Sequence, residues 1–284
     1  MSALPAEPTH AMEPVVDIDM RDYWDGITGF YAGSANVALQ MLGAPGVAYG
    51  VMESKVEGGR VDRHPFKRAR TTLTYLAVAV LGTEDDRAAY RDAVNGAHRQ
   101  VRSTKDSPVR YNAFDRDLQL WVAACLYFGW ADTYERLHGP LDDDTAEAIY
   151  QELAVLGTTL QVPREMWPAT RAAFEEYFQG RLADADIDGP TADYVRMLIG
   201  FDMTPWWFRP AGVLLGFMNT GYTPPVLREK LGLEWSDRNQ RIFDAVNRAT
   251  GMVYRRLPRP VRNAPFNLLL VGLRRRMRSG RALV

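Results

Sequence analysis

Cysteine is almost missing from this chain: there is one, Cys125, in 284 residues, so no disulfide framework can form within it. That usage fits a reducing compartment, and a cytoplasmic location is the expectation. Histidine is nearly as scarce at four, which makes a zinc centre built from several ligands hard to assemble, and no HExxH or CxxC pairing occurs. Net charge is almost absent at -1, leaving no global positive excess to attract phosphates, so nucleic acid is excluded as a partner. The glycine signature of a dinucleotide fold, the P-loop and the GxSxG elbow are all lacking. No apolar run reaches the ~18 to 20 residues that cross a bilayer. Strand signals are nearly absent, and there is no internal repeat, heptad seam or low-complexity segment.

What remains is helical, and the fold class predicted is all-α. At 46% hydrophobic and 24% charged, the composition is that of a soluble globular protein. The organising stretch is Leu118 to Trp130, apolar on almost every side and therefore destined for the middle of a helical domain. Asp115 is placed to cap it through the amides of Asp117 or Leu118. Before it, Pro65 opens a helix with Leu73, Leu76 and Val80 inward, ended by Gly82. Thr83 and Asp86 then suggest a capping box for a helix with Tyr90, Val94, Ala97, His98 and Val101 on one face. After it, helices are expected from Asp142 to about Gly157, over Ala169–Phe178 and Thr191–Ile199, briefly after Pro225, and from Ser236 until Pro258 and Pro260. The expected organisation is a disordered tail over residues 1–20, with no signal-peptide pattern, and a single all-helical domain over 21–284.

Charge is uneven along the chain, since no acid follows Asp244 while arginines accumulate up to Arg274, Arg275, Arg276, Arg278 and Arg281. Two readings stand for this end. One is a peripheral contact with anionic lipid; the other, preferred because basic residues also suit a helix C-terminus, is a last helix docked on the core with a solvated basic end.

The four histidines can be weighed singly. His10 lies in the tail, His64 precedes Pro65, and His138 sits in a turn before Gly139-Pro140. His98 falls at the edge of a buried helix face, where an imidazole is costly unless hydrogen-bonded or metal-bound. A lone buried histidine is more often a satisfied core residue than a ligand, and by itself it cannot hold zinc. It can hold a haem, whose iron takes its other bonds from the porphyrin. The preceding helix offers Arg68 and Arg70 to neutralise propionates, and Thr71 and Thr72 to donate hydrogen bonds to a distal ligand. A hairpin turning at Gly82 leaves room for a plate-like ligand between the two helices. On spacing alone, solvated Arg68 and Arg70 and a merely packed Thr72 are the better reading.

The order of residues goes further. Arg68-xxx-Thr72 with Tyr75-Leu76, Gly82-Thr83, His98 within Ala-His-Arg-Gln-Val-Arg, Tyr111-Asn-Ala-Phe-Asp115 and Leu120-Trp121-Val122 follow one another. Farther on come Tyr134-Glu-Arg-Leu-His-Gly-Pro-Leu141, Gly157 with Val162-Pro163, Pro168-Ala-Thr170, Pro224-Pro-Val-Leu-Arg228 and Leu231-Gly-Leu-Glu-Trp235. From about Trp24 to about Leu273 this pattern resembles the DUF2236 family, the group named for the ER-bound oxygenase MpaB and the latex-clearing rubber oxygenases. The resemblance implies a globin-like helical bundle around a b-type haem. His98 would be the iron ligand, Arg68 and Thr72 would be catalytic on the distal side, and Arg68, Arg70 and Thr71 would border the cofactor. It also implies an oxygenase that uses dioxygen on an apolar, isoprenoid or lipid-like substrate and cleaves carbon-carbon double bonds. Two departures stand out: Thr71 replaces the lysine of the rubber oxygenases, so the distal environment must differ, and Ala123 replaces the histidine of a Trp-Val-His triplet. The alternatives are a haem-binding or sensing protein without turnover, and a cofactor-free helical interaction protein.

Overall fold

The structure, a computed structural model, describes residues 16–56 and 60–284, with backbone alone for 34–37. Most of the expected tail lies outside these residues; within them Asp19 caps the first helix and Met20 is buried. The helices in chain order are α1 (Met20–Tyr23), α2 (Gly26–Leu42), α3 (Pro45–Met52), α4 (Pro65–Leu81), α5 (Glu84–His98), α6 (Arg116–His138) and α7 (Asp143–Glu152). They continue with α8 (Val155–Thr158), α9 (Arg171–Ala183), α10 (Gly189–Gly200), α11 (Arg209–Tyr222), α12 (Pro225–Lys230), α13 (Asp237–Tyr254) and α14 (Arg259–Arg278). No strand occurs among the described residues, whose only β pairing is an isolated antiparallel bridge between Arg102 and Asn112. The fold is all-α.

The apolar run forms the centre, as its all-round hydrophobicity requires. Asp115 accepts from the amides of Asp117 (2.9 Å) and Leu118 (3.1 Å), and the helix it starts continues past Trp130 to His138 because Thr133 and Leu137 are also buried. Rings of α6 meet partners on several sides. Trp121 and Phe128 stack on Phe178, Tyr127 meets Tyr150 and Phe174 edge-on, and Trp130 stacks on Trp24. Offset and edge-on pairs of this kind add to what area burial alone supplies.

Two glycines let helices approach α6 closely. A Cβ at Gly43, just past α2, would lie 2.0 Å from the Trp121 ring, and one at Gly251 in α13 would lie 1.7 Å from the Leu137 carbonyl oxygen. Around α6, Thr83 and Asp86 form the expected reciprocal capping box at the start of α5. The Asp86 carboxylate also receives Arg274 of α14 at 2.7 Å. That last helix docks on the core through Phe266, Leu270 and Leu273. At the far end of α6, His138 is buried with its Nε2 2.9 Å from Asp25 Oδ2, while the other oxygen of Asp25 caps α2.

Several expected boundaries move. Helix α5 stops at His98: the Val101 amide donates to the His98 carbonyl, and pairing with the segment around Tyr111 draws the chain off the helix axis. Val101 therefore lies outside that helix. The stretch after Asp142 breaks at Leu153–Ala154 into α7 and α8, and α2 begins at Gly26, which Asp25 caps.

Candidate functional site

Helix α4 presents two stripes to two cavities. Arg68, Thr71 and Tyr75, spaced three and four apart, line a cavity of about 480 Å³ bounded also by α3, α6, the end of α5 and the residues around Leu156–Val162. Pro65, Ala69, Thr72 and Leu73 line a second cavity of about 280 Å³, walled by Phe66, Leu198, Phe201, Met203, Phe208 and Leu215. Arg68 is on the ridge between the stripes and borders both.

His98 lines the first cavity together with Arg68 and Thr71. Thr72 lines the second, and Arg70 is exposed and borders neither. Of the five residues singled out from the sequence, the structure thus brings His98, Arg68 and Thr71 together. Thr71 spends its proton on the Lys67 carbonyl (2.9 Å), so its hydroxyl faces a ligand as an acceptor and not as the expected donor.

The electrostatics follow from burial. His98 Nδ1 is buried without a hydrogen-bond partner among the described residues, and its ring meets Phe114 edge-on at 6.3 Å. Burial, with the Arg68 charge acting in the same direction, lowers the His98 pKa to about 4. At neutral pH the imidazole is therefore uncharged, the form that donates a lone pair to a metal. Burial also pulls the Arg68 guanidinium below its ordinary value, and no carboxylate pairs with it among the described residues. Tyr75 donates to the Leu156 carbonyl (2.6 Å) and stays protonated because burial pushes it up.

The sequence reading missed an amide relay that ties α6 to α5 one turn before His98. Gln119 Nε2 donates to the Ala113 carbonyl (2.7 Å) and to Gln161 Oε1 (2.6 Å), and Gln161 Nε2 donates to Asn95 Oδ1 (2.6 Å), one turn before His98 on α5. The signal was available: Gln119 is the one polar residue within the otherwise apolar Leu118–Trp130 stretch, and it is buried. Lys67 and Tyr111 also border the cavity.

The residues present fit a haem. A buried imidazole lacking a partner at Nδ1, an unpaired cation and an otherwise largely apolar wall share one cavity, whose size lies within the ~300 to 1,000 Å³ of ligand pockets. Among the described residues no three His, Cys, Asp or Glu side chains cluster so as to hold a bare metal ion.

One consequence is measurable on the apoprotein. The folded pKa of His98, about 4, lies below its ordinary 6.5, so the unfolded chain binds the proton first. Stability from this group is complete above pH 6.5 and is lost as pH falls toward 4. Urea unfolding should show a stability slope across that window which His98→Gln flattens; equal slopes in the two proteins would contradict burial of a neutral imidazole.

Comparison with known proteins gives a consistent set of likenesses. The family described as ER-bound oxygenase mpaB/B'/Rubber oxygenase, catalytic domain, matches residues 20–255. Uncharacterized protein Mb2261 of Mycobacterium bovis is 50% identical over 252 residues, covering 88% of this chain and 98% of its own length. Uncharacterized protein Rv2237 of Mycobacterium tuberculosis matches with the same identity and coverage. No solved structure matches the chain.

Proposed function

We propose, from the premise that the chain belongs to the family of the ER-bound oxygenase mpaB/B' and rubber oxygenase catalytic domain, that it is a haem b-dependent oxygenase acting on an apolar, isoprenoid or lipid-like substrate. The observation that carries this reading is His98, an uncharged imidazole with a buried, unpartnered Nδ1, sharing a cavity with a half-buried Arg68 that pairs with no carboxylate among the described residues. When bound, the haem supplies the redox chemistry that dioxygen requires. His98 is the residue to hold its iron, and the Gln119–Gln161–Asn95 relay keeps the end of α5 in place. Arg68 is the residue to neutralise an anionic group, a propionate first, at the border of the two cavities. Val122, Leu126 and Leu156 exclude water from the site. The net reaction proposed is balanced by dioxygen alone: one carbon-carbon double bond is broken, and each carbon leaves as a carbonyl.

Haemin titration of the purified protein tests the cofactor, and oxygen uptake on adding a long-chain isoprenoid alkene tests turnover. A Soret band at about one haem per chain with substrate-dependent uptake is expected; a band without uptake favours the haem-binding, non-catalytic alternative. Failure to take up haem ends the proposal.

Arg68→Met separates the roles of this residue. Removing a half-buried cation that lacks a carboxylate should leave the apoprotein at least as stable as the parent, while haem dissociates faster. A variant less stable than the parent, with haem retention unchanged, would take Arg68 out of the site.

A further inference from the structure

From Met203 to Leu227 the chain carries one charge, Arg209, and no acid. The first half of this stretch is on the surface. Trp206 is 78% exposed, Trp207 59%, Val213 76% and Leu214 55%. Trp207 lies flat on Phe66 of α4, itself half exposed (ring centroids 6.0 Å, 9° between planes), and Phe66 meets Phe208 edge-on at 5.5 Å. Phe66 and Phe208 are at the same time the outer wall of the second, apolar cavity. One cation adjoins the aromatic cluster: Arg209 follows Phe208, is exposed, and pairs with no carboxylate among the described residues.

We infer that this face, Phe66 with residues 205–214, docks the protein on the interfacial zone of an anionic lipid bilayer, with the second cavity opening toward the membrane for a lipid-soluble molecule. Tryptophan favours that zone because its ring is apolar while its N–H still meets polar headgroups. Arg209 meets lipid phosphates, and the absence of acid from Met203 to Leu227 limits the repulsion an anionic leaflet would impose. An apolar cavity behind an apolar wall is of use to a ligand that arrives from lipid and not from water. The contact is peripheral, since no helix among the described residues is long and apolar enough to cross a membrane. This surface is distinct from the basic end of α14, and the docking does not depend on haem.

Flotation of the full-length protein with phosphatidylcholine vesicles carrying about one-third phosphatidylglycerol tests the inference. The parent protein should float. The pair Trp206→Ser with Trp207→Ser, and independently Val213→Ser with Leu214→Ser, should each lower the bound fraction about tenfold, with the helical signal unchanged because all four side chains are exposed. Arg275→Gln with Arg278→Gln should leave most of the binding in place. The inference is overturned if the parent does not float, if both apolar pairs float like the parent, or if only the arginine pair loses binding. It is equally overturned if the parent forms a concentration-dependent dimer without lipid that Trp206→Ser with Trp207→Ser dissociates, because the face would then belong to a second copy.

Discussion

If the proposed haem site is right, the apoprotein with His98 replaced by alanine should lose haem uptake and keep its helices. A haem needs at least one axial ligand from the chain, and the other candidates within the described residues are engaged or misplaced. His64 precedes Pro65 at the exposed start of α4, and His138 is buried against Asp25 at the far end of α6. Cys125 is buried, and burial raises its thiol well above the ordinary value, so it offers no thiolate. Haem affinity should fall on the order of a hundredfold or more, since changes to groups that only support a ligand already cost ~10 to 100-fold. The fold should lose little. The substitution removes a buried nitrogen that has no partner, which offsets part of the lost packing, and alanine suits a helix end. Circular dichroism and the visible spectrum are read on one sample, with added imidazole as a rescue. A retained Soret band at parental intensity would show that His98 is not the ligand.

Gly251→Ala has the largest expected effect on stability. The new methyl would come within 1.7 Å of the Leu137 carbonyl oxygen, so α13 must move off α6, and backbone cannot step aside as a flexible side chain can. We expect a loss of about 3 kcal/mol or more, a sizeable part of the ~5 to 15 that hold a domain together. Gly180→Ala in α9 is the matching control. Nothing lies within 4 Å of its would-be Cβ, and alanine there should add about 0.5 to 1 kcal/mol. Urea midpoints measure both; a Gly251→Ala protein within 1 kcal/mol of the parent would mean that the two helices can separate at little cost.

What the sequence made legible was local. The caps at Asp115 and at Thr83 with Asp86 could be read because donor and acceptor lie within three residues, and Leu118–Trp130 announced its burial by having no polar face. The fold class followed from those signals. The site was legible as a set of residues but not as an arrangement. Thr71 and Thr72 are neighbours on α4, yet they line different cavities, and which stripe faces which depends on how α2 and α14 pack against that helix. The end of α5 at His98 is set by hydrogen bonds to the segment around Tyr111, and the Gln119–Gln161–Asn95 relay joins residues far apart in the chain. Neither leaves a periodic trace. The apolar tryptophan pair beside Pro205 was visible in the sequence, but its exposure was not.

The clasp between Asp86 and Arg274 bears on where this protein can be cut. The stretch matched by the family's catalytic-domain description ends at residue 255, but α14 lies beyond it and reaches back to the helix that bears His98. Its Phe266 ring stacks on Trp24 at 5.9 Å and fills the space that a side chain at Gly29 would occupy, and Leu273 is fully buried. A fragment trimmed to the family's edge would bare those rings and leave a buried carboxylate without its cation. Expression boundaries drawn from the family match alone would therefore pass through the hydrophobic core.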